Sequence, residues 1–268
     1  MNTPHALNLS QARAFACELA QEAAQMLRAG QHDATTIEKA PGDWCSALDS
    51  AIQAHMQQRV ASTYPHHRFW GEEGAGQGDA MAPEPGRYTW LVDPIDGSMN
   101  FLRGYPQYAI SLALLEGSEP VVACIMDPVR QEVFTAARGL GAVCNGQALR
   151  VARTTELSQA VAATVFPKPR ADFMDAYVQE LSQVLRRTAG VRRAGSMALE
   201  MAYLAAGRID VFWERGMGAW DAAAGRLLIH EAGGDVWSLD GGPWWQSQAL
   251  AAATLGLRDA WTALLENV

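Results

Sequence analysis

The segment WLVDPIDGSMNF, Trp90 to Phe101, sets the architecture of the chain around it. It opens within a short apolar run, Tyr88 to Val92, that suits a buried strand. Asp93 precedes a proline, which holds it extended at the strand end. Pro94 fixes its own φ, and Gly97 permits the sharp reversal that Asp96 enters. Ser98 is then positioned to cap the following segment, its hydroxyl facing the same space as nearby backbone N–H groups. Two carboxylates and a cluster of anion-binding donors thus meet at one strand end. That combination suits a divalent metal holding a phosphate.

Upstream, Ser10 reads as an N-cap, and Phe15, Ala16, Leu19, Ala20, Ala23, Met26 and Leu27 follow helical spacing until Gly30. A strand-like passage, Thr35 to Lys39, and a Pro41-Gly42 turn lead to a second helix, marked by Leu48, Ile52, Met56 and Val60. Asp49 lies on its first turn. HRFWGEEG then reads as a short strand delivering Glu72 and Glu73, and the aperiodic stretch Gly74 to Pro85 as a lid or a surface connection. Downstream, three strands are expected at Tyr108–Leu115, Val121–Met126 and Glu132–Ala137, with a hairpin at Asn145-Gly146.

From about residue 155 strands and helices alternate. Strands are expected at Val161–Phe166, Val191–Ala194, Ile209–Glu214, Asp235–Leu239 and Leu250–Thr254. Helices are expected at Ala171–Leu185, from a Ser196 cap through Ala206, at Ala219–Ala232 and at Leu257–Glu266. The fold class is therefore α+β, with two N-terminal helices on an antiparallel sheet (1–150) followed by an α/β half (151–268). No linker separates the halves, which are expected to share one core.

A chain of 268 residues that is 49% hydrophobic can bury a substantial core. Its formal charge of −8 argues against nucleic acid or an anionic membrane as the main partner. An acidic protein that handles an anionic substrate needs cations to offset its own field, which again points to metal. Cys17, Cys45, Cys124 and Cys144 form no CxxC pair and read as free thiols of a reducing cytoplasm. The first residues lack the basic start and apolar run of a signal peptide, and Glu116 and Glu119 interrupt the best candidate for a membrane span. A cytoplasmic protein is expected.

Each acid alone has a plainer reading. PIDG can be a surface turn, GEEG a solvated loop, Asp221 a helix N-cap or first-turn acid, and Glu214 an exposed charge. Together they all end strands or open helices, where distant segments converge in one cleft. Clustered carboxylates repel and are driven to protonate, unless a cation such as Mg²⁺ takes their oxygens as ligands. Histidine and cysteine spacing offers no zinc alternative.

WLVDPIDGSMNF, with GEEG upstream and AWDAAAGRLLIHEAGG downstream, resembles the inositol monophosphatase family in block order and spacing. The resemblance implies a layered αβαβα sandwich, a Li⁺-sensitive phosphatase activity and a homodimer. It also implies two to three Mg²⁺ ions. Glu72, Asp93 and the Ile95 carbonyl would hold the first, and Asp93, Asp96 and Asp221 the second. Glu72 would bind a third. Gly97 and Ser98 would offer N–H donors to phosphate, and the Ser98 hydroxyl, where the family usually has threonine, would work with Asp49 on the attacking water. Ile95, Asp96, Gly97, Ser98, Arg192 or Arg193, Gly195, Ser196, Glu214 and Asp221 match positions near substrate, and Lys39 aligns with a lysine near the site. Asp43-Trp44-Cys45-Ser46 departs from the usual Asp-Leu-Val-Thr, and the bulk of Trp44 bears on how Asp49 is seated.

The implied function is a Mg²⁺-dependent phosphomonoesterase for inositol monophosphate or a similar polyol phosphate, acting without a covalent intermediate. Relatives in this class use fructose 1,6-bisphosphate, histidinol phosphate or adenosine 3′,5′-bisphosphate, and Asn100-Phe101 resembles the inositol or sugar branch. A non-catalytic regulatory protein on the same fold is the alternative; the completeness of the acid set speaks for the enzyme. A dinucleotide redox enzyme is excluded because no GxGxxG lies between a strand and a helix.

Overall fold

The computed structural model describes residues 7–30, 36–40, 43–73 and 83–266. In chain order the first half comprises α1 (Leu9–Gly30), β1 (Thr36–Ala40), β2 (Asp43–Ser46), α2 (Ala47–Thr63), β3 (Arg68–Gly71), β4 (Tyr88–Asp96), α3 (Ser98–Leu102) and β5 (Ala109–Glu116). β6 (Glu119–Asp127), β7 (Glu132–Ala137), β8 (Ala142–Cys144) and β9 (Gln147–Ala148) complete it. The second half runs β10 (Val161–Thr164), α4 (Met174–Arg187), β11 (Gly190–Arg192), α5 (Met197–Ala205), β12 (Val211–Arg215), α6 (Ala219–Glu231), β13 (Gly234–Ser238), β14 (Ala249–Thr254) and α7 (Arg258–Glu266).

Five layers result. α1 and α2 cover one face of a seven-stranded sheet ordered β3-β4-β5-β6-β7-β8-β9, and α5 and α6 cover the other. A five-stranded sheet ordered β11-β10-β12-β14-β13 lies beyond α5 and α6, and α4 and α7 close its far side. The layered αβαβα sandwich is therefore the fold.

Strand alternation explains the layering. Along β5, Ile110, Leu112 and Leu114 join α1 and α2 in one core, whereas Ala109, Ala113 and Leu115 face the middle layer. The middle core is filled by small residues, among them Ala198, Ala202, Ala222 and Ala223, which let helices approach both sheets. Gly225 marks the tightest point: a Cβ there would lie 2.5 Å from Met201 Cβ on the neighbouring helix. Tyr177, Trp213 and Trp261 anchor the outermost core, ring against ring.

Several expectations need correction. The first helix begins earlier than Ser10, because Asn8 supplies the cap: its carbonyl accepts from Ala12 N–H and its side chain from Gln11 N–H. The first sheet is not wholly antiparallel, since β3 pairs parallel with β4. Ser98 does not cap α3. Gly97 holds that position with φ +93°, and Ser98 is the first helical residue. The Asn145-Gly146 hairpin forms as expected, with φ of 47° and 82°. Lys39 lies on β1 and Trp44 on β2, but their side chains fall outside the described residues, as does the segment 74–82. No helix of the described residues is long and apolar enough to cross a membrane.

Candidate active site

An irregularity in β4 creates the site. Asp93 pairs with Ser111 and Asp96 with Ala109, so three steps on β4 oppose two on β5. In a regular strand residues three apart face opposite sides. The extra residue re-aims the chain so that both carboxylates enter one cleft, and Pro94 sits where a ladder N–H is dispensable. Gly97 then reverses the chain. A Cβ at Gly97 would lie 3.0 Å from Gly195 O and 3.1 Å from Gln107 O, and its φ is left-handed.

Neighbouring elements bring the other acids. The parallel pairing of β3 sets Gly71 opposite Val92, and Glu72 N–H donates to Val92 O at 3.0 Å. Glu72 is thereby carried beside Asp93, and the two carboxyl groups hydrogen-bond. Asp221 stands on the first turn of α6, one oxygen accepting from Gly218 N–H at 2.7 Å. One carboxylate oxygen each from Asp93, Asp96 and Asp221 lies within 4.8 Å of the others.

Asp96 rests on the N-terminus of α5. Its Oδ2 accepts from Ser196 Oγ at 2.5 Å and Ala198 N–H at 2.8 Å, and Oδ1 from Met197 N–H at 3.3 Å. Ser196 itself caps α5, accepting from Leu199 N–H. Even so, burial outweighs these bonds and raises Asp96 to about 6. Burial first, then the charges of Glu72, Asp96 and Asp221, pushes Asp93 well above the usual carboxylate range. Asp221 is raised by burial and then by Glu72 and Asp96. Glu214, on β12, is raised by burial and then by Asp221 and Asp96, and its Oε2 is buried with no hydrogen-bond partner.

Such a cluster is stable with protons or with a cation, not with bare charge. The side chains that converge there, Asp93, Asp96 and Asp221, offer only carboxylate oxygens. Hard oxygen ligands fit Mg²⁺ and exclude the thiolate and imidazole sets of zinc.

Beside the cluster lies a hydroxyl–carboxylate pair. Asp49 Oδ2 accepts from Ser46 N–H at 2.8 Å and Ser46 Oγ at 2.6 Å, a capping box that opens α2. Oδ1 is left for Ser98 Oγ at 3.1 Å, and the same hydroxyl lies 2.8 Å from Ile95 O. Asp49 is therefore buried and beside Ser98.

The two candidate arginines lie in different surroundings. Arg192 is exposed and folds back on its own strand, its Nη1 near Val191 O and 3.3 Å from the Cβ position of Gly190. Arg193, one residue on and so on the other side of the extended chain, lies over Phe166 at 4.7 Å and reaches within 3.4 Å of the Cβ position of Gly195. Gln53 was not singled out from the sequence. Its amide donates to Glu73 O at 2.7 Å and accepts from Glu73 N–H at 2.9 Å, pinning the turn that carries Glu72. The signal was available: Gln53 lies four residues after Asp49, on the same face of α2.

The fold and the cleft between its two halves define a layered α/β protein with a buried acidic centre. Residues 8–267 match the profile of the inositol monophosphatase family, and the chain belongs to that family. An inositol-1-monophosphatase of Rhizobium meliloti is 43% identical over 202 residues, covering 75% of this chain and 74% of the relative. A Pseudomonas aeruginosa protein named Nus factor SuhB is 42% identical over 204 residues, covering 74% and 73%. The crystal structure of the extragenic suppressor protein suhB from Bartonella henselae superposes with a TM-score of 0.87 at 31% identity, covering 96% and 98%.

Proposed function

We propose that the chain is a Mg²⁺-dependent phosphomonoesterase acting on inositol monophosphate or a similar small polyol phosphate. The observation that carries this reading is the convergence of Asp93, Asp96 and Asp221 within 4.8 Å, next to the Ser98–Asp49 pair. Glu72, Asp93 and the Ile95 carbonyl would hold one Mg²⁺, Asp93, Asp96 and Asp221 a second, and Glu72 a third. Bound there, the ions lower the pKa of coordinated water and neutralise phosphate charge.

The chain's own groups supply the rest. Asp49 has one oxygen tied to Ser46, so its free oxygen receives the Ser98 proton. Ser98 Oγ can then accept from the attacking water while donating to Asp49. The N–H groups of Gly97 and Ser98 offer donors to the phosphate oxygens. The partnerless Glu214 Oε2 is suited to accept a polyol hydroxyl, with Gly195, Ser196 and Arg193 bordering it. Positioning and charge stabilisation suffice for phosphoryl transfer, and no covalent phosphoenzyme is expected. The reading extends to a homodimer in the cytoplasm, in keeping with four cysteines that form no disulfide among the described residues.

A second reading is a regulatory role on the same fold, suggested by relatives named Nus factor. The intact acid set favours the enzyme. The deciding experiment is phosphate release from inositol 1-phosphate, fructose 1,6-bisphosphate, histidinol phosphate and adenosine 3′,5′-bisphosphate, with and without Mg²⁺ and with Li⁺ added. Mg²⁺-dependent, Li⁺-sensitive release with inositol 1-phosphate preferred is expected. No release from any of them, with Mg²⁺ binding intact, would favour the regulatory role.

A further inference from the structure

A residue that touches no acid of the cluster ties the β4 bulge to the start of α5. Asn100, on α3, directs its amide nitrogen between two carbonyl oxygens, Gln107 O at 2.7 Å and Ala194 O at 2.8 Å. Two acceptors on one side identify that end as the NH₂ group. On the other flank of the same residue, Ala194 N–H donates to Glu200 Oε1 at 3.1 Å. Glu200 is buried on α5, and burial raises it to about 7. Ala194 is thus gripped through both of its backbone polar groups.

The grip has a direction. The Ala194 carbonyl and the Gly195 N–H share one rigid peptide plane, so holding the carbonyl sets where that N–H points. Gly195 in turn adopts φ +90°, its Asn100-facing side too tight for a Cβ, with Asn100 Nδ2 only 3.0 Å from that position. Its carbonyl crowds Gly97 from across the cleft. Ser196 follows and bonds Asp96. Two latches, Asp96 on the helix end and Asn100 on Ala194, therefore hold residues 194–196 against the bulge.

We infer that Asn100 is a positioning residue for substrate: through Ala194 it fixes Gly195 and Ser196 on the wall that receives the phosphate ester, with Glu200 as the opposing grip. This inference rests on the reading of the cleft as a phosphate-ester site.

Asn100→Leu keeps the size and removes both donors. At saturating Mg²⁺ the KM for the preferred ester should rise about tenfold while kcat stays within about twofold, the pattern of lost binding rather than lost chemistry. Amide hydrogen exchange across residues 193–197 should quicken about tenfold or more, with the central strands unchanged. Glu200→Leu should reproduce both effects. Glu200→Gln, which keeps the acceptor oxygen, should show neither. A fall in kcat at constant KM would indicate only a smaller folded fraction and would overturn the inference, as would unchanged exchange in Asn100→Leu. If the parent protein releases no phosphate from any ester, the functional reading fails, and the exchange data still decide whether the latch exists. Should Asn100→Leu not fold, the contrast between the two Glu200 variants decides.

Discussion

Replacing Asp93 by Asn should make the metal-free protein more stable and the enzyme nearly inactive. Oxygens of Asp93, Asp96 and Asp221 lie within 4.8 Å of one another. Two unit charges at that distance repel by roughly 3.5 kcal/mol at an effective dielectric constant of about 20. Protonation limits this cost. Asp96, raised from 3.8 to about 6, corresponds to about 3 kcal/mol of folding free energy, since one pKa unit is about 1.4 kcal/mol. The sign follows from linkage: a carboxylate whose folded pKa is raised binds its proton more tightly when folded. Its stabilising contribution is present below the unfolded value near 4 and is lost as pH rises through the folded pKa. Asp93 is shifted in the same direction by burial and by three acidic neighbours. At pH 8 in EDTA, Asp93→Asn should therefore gain about 1–3 kcal/mol, a rise in Tm of about 2–5 °C for a chain of this size. At pH 4 the two proteins should differ little. Adding Mg²⁺ should reverse the order, raising the Tm of the parent and not of the variant. Phosphate release should fall by roughly 1,000-fold, several kcal/mol of transition-state stabilisation. A variant less stable than the parent in EDTA at pH 8, or one with near-normal turnover, would refute the reasoning.

Three further outcomes are expected. Ser98→Ala should lower kcat about 100-fold with Mg²⁺ affinity unchanged, whereas Ser98→Thr should stay within a few-fold; steady-state kinetics checks both. Glu214→Gln should change the ranking of esters in the substrate panel more than the Mg²⁺ requirement, and an equal loss on every ester would count against Glu214 as a polyol acceptor. Gly97→Ala must adopt a left-handed φ of 93° and place a Cβ 3.0–3.1 Å from two backbone oxygens. It should cost about 2–3 kcal/mol, seen as a fall in Tm of about 4–5 °C, and an unchanged Tm would mean the turn relaxes.

What the sequence disclosed and what it withheld divide along physical lines. The individual elements were legible because each buried face leaves a local period, as in α1, where Phe15, Leu19 and Leu27 recur at helical spacing and are buried, whereas their stacking into five layers followed only from the family resemblance. The reversal at Gly97 was legible because proline, a second aspartate and glycine each restrict the backbone within four residues, but the bulge that brings both carboxylates to one side was not. The parallel placement of β3 was not, since a four-residue strand beside an aperiodic connection carries no signal of direction. Nor were the surroundings of Arg192 and Arg193, because alternation assigns opposite sides without saying what each side meets. Contacts across about a hundred residues were the least visible: Ser196 to Asp96 and Asn100 to Ala194 join segments whose own propensities are satisfied without each other. Ser196 was singled out as a helix cap, and its hydroxyl also holds an acid of the cluster. One residue can serve its own helix and a distant site with different atoms, and only the first role leaves a mark in local sequence. The residues that assemble this cleft were therefore chosen twice, once for the turn or cap they make and once for the oxygen or donor that the turn presents.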